Sequence, residues 1–154
     1  MSKVRKYRIK RWTLILLILY FLVLVYVCFF SEAYGRAEPS DTYHYNLIPF
    51  REIARFYIYR DVVGIRAFVL NLFGNVFAFM PFGFFIAILF KRKRHLKNIL
   101  RMTFLLSLGI EIIQLLTRTG SFDVDDLILN TLGGVLGFLL FAVLDYIRRL
   151  RYGS

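Results

Sequence analysis

Cysteine and histidine are scarce in this sequence, and both shortages exclude classes of site. The single cysteine, Cys28, excludes an intramolecular disulfide. The two histidines, His44 and His95, show neither zinc-ligand spacing nor a catalytic-triad pattern, and no phosphate-binding glycine loop occurs. The acids of residues 123–126 have a carboxylate spacing seen in calcium loops but lack the rest of such a loop. We therefore expect no bound metal and no cofactor.

Acidic residues are also few, with ten against 21 lysines and arginines, which gives a net charge of +11. In a soluble protein this excess would suggest nucleic-acid binding, but no recognition motif accompanies it. The basic residues instead lie in blocks beside apolar runs, with six in residues 1–11, six in 91–101 and three in 148–151. Such blocks set membrane orientation and contact anionic head groups. We expect the lipid bilayer, and no nucleic acid, as a partner.

Hydrophobic residues make up 58% of the chain and the mean hydropathy is +0.60. They cluster in four segments, at about 12–30, 67–90, 99–116 and 127–144. Each is close to the roughly 20 residues that span a bilayer as a helix, the structure that satisfies its own backbone in hydrocarbon. The sequence predicts an all-α membrane protein with one four-helix domain over residues 1–154. The first segment favours an uncleaved anchor over a signal peptide, for which residues 31–33 offer a weak cleavage pattern.

The loops alternate in charge. Residues 1–11, 91–98 and 145–154 are basic, with Asp145 as their only acid. The loop 31–66 carries five arginines and five acids, and the loop 117–126 has Arg118 against three aspartates. The positive-inside rule therefore predicts cytoplasmic termini and a multi-pass protein of the cell membrane.

The first outer loop contains a candidate amphipathic helix at about 49–60. Phe50, Ile53, Phe56 and Tyr57 fall on roughly one side, and Pro49 suits the first turn of a helix. We expect this helix to lie on the outer leaflet. The alternative is a disordered aromatic loop.

Five amide and acid side chains of the predicted spans all fall in the outer half of the bilayer. Asn71 and Asn75 are four apart and share a face of the second span. Gln114 and Glu111 lie roughly 5 and 9 Å below the outer end of the third span, and Asn130 is similarly shallow in the fourth. If these faces converge, they form one polar cavity open to the outside, with Asp123, Asp125 and Asp126 at its mouth.

Glu111 is the strongest candidate for function, because an ionisable side chain within a span costs at least about 2.5 kcal/mol at the bilayer centre and needs a partner. Glu111, Gln114 and Arg118 are spaced as one helical stripe, so Arg118 is the expected partner, or an asparagine if Glu111 is protonated. The alternative is a structural polar clasp between helices. Gly133 and Gly137 predict a close helix contact.

The sequence resembles the VanZ-like family over about residues 44–144. The ordered set that carries the resemblance is Asn46-Leu47-Ile48-Pro49-Phe50, Asn71-Leu72-Phe73-Gly74-Asn75, Pro81-Phe82-Gly83, Glu111-x-x-Gln114, Arg118, Phe122-Asp123-x-Asp125-Asp126 and Asn130-Thr131-x-Gly133-Gly134. The resemblance implies a bacterial integral membrane protein, in a family whose namesake is linked to resistance to the glycopeptide antibiotic teicoplanin.

Three functions remain open. In the first, the cavity binds a lipid head group, a lipid-linked cell-wall precursor or a lipoglycopeptide. Its binding residues would be Asn71, Asn75, Glu111, Gln114, Arg118, Asp123, Asp126 and Asn130. In the second, a membrane enzyme acts on such a lipid, with Glu111 or Asp123 as acid or base. A transporter or a structural partner is the third. Four short helices without a repeat disfavour a solitary transporter, and the inner half has no set of polar groups comparable to that of the outer half.

Overall fold

The computed structural model describes residues 3–30, 41–90 and 95–153. Four long helices form the bundle: α1 Lys3–Phe29, α4 Ile65–Leu89, α5 Leu96–Thr117 and α6 Val124–Tyr152. Between α1 and α4 lie the strand β1 Tyr45–Asn46 and the helices α2 Arg51–Ile58 and α3 Arg60–Val63. A second short strand, β2 Phe122–Asp123, precedes α6.

The four long helices confirm the predicted all-α architecture. Each contains a stretch that is long and apolar enough to cross a membrane, at Tyr7–Phe29, Phe68–Leu89, Leu96–Thr117 and Val124–Tyr152. The helix α1 begins at Lys3 and α6 ends at Tyr152, so both helices extend beyond the predicted apolar segments 12–30 and 127–144 into the basic flanks. The single domain and the cytoplasmic termini stay predictions. The cleavage pattern at 31–33 and the basic residues 91–94 lie outside the described residues.

Glycines bring α4 and α6 into close contact, as the spacing of Gly133 and Gly137 predicts. A Cβ at Gly133 would overlap the backbone of Val76, and one at Gly137 would overlap the backbone of Met80. Small residues permit this approach of two backbones, which supplies van der Waals packing where no hydrophobic effect acts between helices. The helix α4 continues through Pro81 to Leu89, so this proline does not end it. Membrane helices tolerate proline because their neighbours satisfy the freed backbone groups.

The helix α1 packs against α4 and α5. Its Leu24 and Cys28 form a buried cluster with Phe79 of α4. The Tyr20 hydroxyl donates to the carbonyl oxygen of Ala78 over 2.9 Å. These contacts fix the end of α1 beside the polar residues of the other helices.

The predicted amphipathic helix is present but shorter, because α2 begins at Arg51 and ends at Ile58. Phe50 adopts a left-handed conformation with φ of 64°, so Pro49 lies before the helix and not in its first turn. Ile53 and Phe56 are half-buried, and the Tyr57 ring meets the Phe68 ring edge-on at 6.4 Å. The position of α2 on the outer leaflet stays a prediction.

The two short strands were not expected from the sequence. They pair in parallel, with Tyr45 beside Phe122 and Asn46 beside Asp123. This pairing joins the loop before α2 to the segment that leads into α6. We call the end of the bundle that carries β1, β2 and α2 the acidic end, because it holds Glu52, Asp123 and Asp125.

Candidate functional site

A cavity of about 20 Å³ lies between the four long helices near the acidic end. The polar side chains that line it come from α4, α5 and α6, and α1 closes one side with Val27 and Cys28. These polar residues are Asn75, Glu111, Gln114, Asp126 and Asn130. The structure thus brings together five of the residues that the sequence selects as a site.

Glu111 is almost completely buried, with 2% of its surface exposed. Its Oε2 accepts a hydrogen bond from the backbone N–H of Asp123 over 3.0 Å. A carboxylate that receives a backbone donor is held in a fixed position. The site therefore positions Glu111 through β2.

Arg118 departs from its predicted role. The helix α5 ends at Thr117, and Arg118 has a left-handed φ of 57°. Its side chain is consequently exposed, with the guanidinium 4.7 Å from the centre of the Tyr43 ring. The prediction that Arg118 continues the stripe of Glu111 and pairs with it is wrong, since the helical spacing does not extend past the end of α5.

Asp123 and Asp125 are buried as structural caps, whereas the sequence places them at an open mouth. Asp123 Oδ1 accepts from Asn46 Nδ2 over 3.0 Å and from the backbone N–H of Asp125 over 2.8 Å. The second of these bonds caps the N-terminus of α6. Burial raises the pKa of Asp123 above its usual value, and the bonds from Asp125 and Asn46 oppose that rise.

Asp125, with 1% of its surface exposed, caps a different helix from its own. Its Oδ1 accepts from the backbone N–H of Phe50, and its Oδ2 accepts from those of Glu52 and Ile53 over 2.9 and 3.2 Å. The first N–H groups of a helix have no partner within that helix. Asp125 therefore anchors the start of α2 to the start of α6.

The amide side chains of the cavity connect its walls. Asn75 Nδ2 donates to Asp126 Oδ1, which joins α4 to α6. Gln114 Nε2 donates to the carbonyl oxygen of Cys28 over 2.8 Å, which joins α5 to α1. Asn130 Nδ2 donates to Ser107 Oγ over 2.9 Å. The cavity is thus bounded by hydrogen bonds between helices.

Asn71 lies apart from this set. It is half-buried one turn before Asn75 on α4 and is not among the residues that line the cavity. Sequence reasoning missed Ser107 and the anchoring role of Asn46. A signal for Ser107 was available, because Thr103, Ser107, Glu111 and Gln114 form one buried polar stripe of α5 at spacings of four, four and three.

The family model described as VanZ/LLP1 matches residues 17–145 of this chain. The chain belongs to the VanZ/LLP1 family. It is 32% identical over 131 residues to a protein of Enterococcus faecium named "Protein VanZ", which covers 83% of this chain and 72% of that relative. No solved structure matches the chain.

The VanZ/LLP1 match confirms the resemblance drawn from the motifs and extends it toward the N-terminus. It begins at residue 17 and so includes the half of α1 that carries Val27 and Cys28. All residues that line the cavity fall inside the matched region. The second half of the first membrane helix therefore falls within the region that the family model matches.

Proposed function

We propose that this VanZ/LLP1 protein resides in the bacterial cytoplasmic membrane and binds the polar part of an envelope lipid, a lipid-linked cell-wall precursor or a lipoglycopeptide. The observation that carries the proposal is the convergence of Asn75, Glu111, Gln114, Asp126 and Asn130 on one cavity. Polar and ionisable groups within membrane helices are costly and mark functional sites by default.

The position of the cavity supports access from the outer leaflet. Asp126 and Asn130 lie roughly 3 and 9 Å from the start of α6, and Glu111 lies roughly 9 Å from the end of α5. The loop charges predict that this end faces outward. A reporter protein that is active only in the cytoplasm, fused after residue 153, should be active; an inactive fusion of a stably inserted protein would contradict this orientation.

The cavity is small relative to the proposed ligands. A volume of about 20 Å³ is close to what one water molecule occupies. We infer that only the tip of a ligand enters between the helices, while its remainder lies against the exterior of the acidic end. The exposed side chains of Arg51, Arg55 and Arg118 are available there to a phosphate group.

Reduced susceptibility to teicoplanin is the expected phenotype, by analogy with the family's namesake. The test is expression of the wild type and of Glu111→Gln in a susceptible Gram-positive host at equal membrane levels. Wild type should raise the inhibitory concentration, and Glu111→Gln should abolish that increase. The control is Asp145→Asn, which alters an acid at the other end of α6. Wild-type tolerance in Glu111→Gln would reject a role for the cavity.

A membrane enzyme is the second candidate. Glu111 accepts a hydrogen bond from the backbone N–H of Asp123, and burial raises the pKa of the Asp123 carboxyl. A carboxyl that is protonated closer to neutral pH is suited to general acid–base catalysis. Purified protein incubated with labelled undecaprenyl-linked substrate tests this reaction. The formation of product by wild type and its loss in Asp123→Asn support an enzyme; no turnover with any substrate of this class argues against it.

A further inference from the structure

The cavity at the acidic end is lined by apolar as well as polar groups. The polar ones are the five side chains named above, and the apolar ones belong to Val27, Cys28, Gly74, Ala78, Phe79 and Ile110. Sites for small ligands commonly combine an apolar lining with a few polar atoms that fix orientation. A group that enters this cavity therefore contacts carbon on part of its surface and hydrogen-bonding atoms on the rest.

Asn130 holds a buried polar atom without a partner. Its surface is 3% exposed and its Nδ2 donates to Ser107 Oγ over 2.9 Å, but among residues 3–30, 41–90 and 95–153 no group bonds to its Oδ1. Buried polar atoms are nearly always satisfied in native proteins, by the protein or by a bound molecule. An unpartnered acceptor on a residue that lines a cavity indicates that a donor enters the cavity from outside the described part of the chain.

A hydroxyl group supplies the donor that Asn130 requires. It carries one O–H donor and two acceptor lone pairs, so it also serves the amide if the Asn130 side chain rotates and presents its NH₂. An ionised phosphate cannot donate, because its oxygens are acceptors. A neutral hydroxyl also adds no charge to a site within the membrane-spanning helices, where each further buried charge is costly.

We propose that this cavity binds an alcohol group of an envelope lipid, a hydroxyl of a glycerol or sugar head group that donates to Asn130 Oδ1. A hydroxyl is about the size of a water molecule and fits about 20 Å³. A free water molecule makes about three hydrogen bonds when buried, whereas an alcohol also presents carbon to the apolar lining formed by Ala78, Phe79 and Ile110. This inference rests on the proposed function and specifies which group enters the cavity.

Calorimetric titration of the purified protein in dodecyldimethylamine oxide, a detergent without hydroxyl groups, tests the inference. Two pairs of ligands differ in their hydroxyl groups: dihexanoyl phosphatidylglycerol against dihexanoyl phosphatidylpropanol, and hexyl glucoside against hexyl tetrahydropyranyl ether. Wild type should bind the hydroxyl-bearing member of at least one pair about fivefold or more tightly, since one neutral hydrogen bond is worth about that factor. A preference in the first pair identifies a glycerol head group as the source, and a preference in the second identifies a sugar.

Asn130→Leu nearly keeps the size of the side chain, removes its amide and should abolish the preference. Asn98→Leu, the same exchange near the start of α5, is the matched control and should keep it. The comparison of paired ligands on wild type needs no variant, so it decides the question even if Asn130→Leu fails to fold. Equal affinity within both pairs would mean that water alone satisfies Asn130; this result, or a preference that persists in Asn130→Leu, would overturn the hydroxyl site but leave head-group binding in place. Binding of none of the ligands would overturn both this site and the proposed function.

Discussion

The carboxylate of Glu111 accepts a hydrogen bond from the backbone N–H of Asp123, with 3.0 Å between Oε2 and the nitrogen. Both residues are buried, at 2% and 7% exposure. The bond joins the C-terminal part of α5 to the strand that leads into α6. The acid that is the best candidate for ligand binding thus also holds the turn between two membrane helices in place.

This dual role separates two substitutions of Glu111. Glu111→Ala removes the acceptor and leaves the Asp123 amide buried without it, a loss of about 1–3 kcal/mol. Glu111→Gln retains an oxygen that can accept the same bond. We expect the thermal unfolding midpoint in detergent to fall clearly for Glu111→Ala and to stay near wild type for Glu111→Gln. Equal midpoints for Glu111→Ala and wild type would show that the bond contributes little.

Asp125 should control the order of α2. Asp125→Ala removes the acceptor for the N–H groups of Phe50, Glu52 and Ile53. Loss of one helix cap costs about 1 kcal/mol, so the loss of several bonds should accelerate amide exchange by roughly tenfold or more. Hydrogen–deuterium exchange of a peptide covering α2 measures this effect, with Asp145→Asn as control. Unchanged exchange in Asp125→Ala would contradict the anchoring role.

The four helices could be predicted from the sequence because hydrocarbon forces each span to satisfy its own backbone. The shared inward face of Glu111 and Gln114 could also be predicted, because a spacing of three places both side chains on one face of a helix. Arg118 could not be placed, because its direction depends on the end of α5 at Thr117 and on a left-handed backbone.

The pairing of β1 with β2 also escaped prediction. Two-residue strands are too short for a periodic pattern, and the bond between Asn46 and Asp123 joins residues 77 positions apart. The bonds from Asp125 to the start of α2 likewise join distant segments, whereas the cap that Asp123 provides for α6 is local. From its local sequence alone, a cluster of acids beside a membrane helix is predicted to lie at the exposed mouth of a cavity.

The glycines of α6 give a stability prediction with an internal control. Ala at Gly133 or Gly137 would overlap the backbone of Val76 or Met80, so the two helices must separate. Overpacking of this kind costs about 1–3 kcal/mol. Gly109→Ala in α5 meets no atom within 4 Å and should unfold at or above the wild-type temperature. Thermal unfolding in detergent compares all three, and wild-type stability of both α6 variants would contradict the close contact.

Asp123 should make stability depend on pH. Its pKa is raised in the folded protein, mainly by burial, so the folded state binds a proton more readily than the unfolded state. Stability therefore falls as pH rises from the usual aspartate value through the raised pKa, and it is regained on acidification. Asp123→Asn should flatten this part of the profile of unfolding midpoint against pH. A slope identical to that of wild type would assign the dependence to another group, with Glu52, whose pKa burial also raises, as the next candidate.

The single cysteine reports whether α1 stays docked on the cavity. Cys28 is 8% exposed, and its carbonyl oxygen accepts the Nε2 donor of Gln114 over 2.8 Å. Gln114→Leu removes this donor, which is worth about 1 kcal/mol, so the end of α1 should open several times more often. Maleimide labelling of Cys28 should accelerate by that factor, while Tyr26→Phe on the exposed face of α1 should label at the wild-type rate. An unchanged rate in Gln114→Leu would mean that the cluster of Leu24 and Phe79 alone keeps α1 in place.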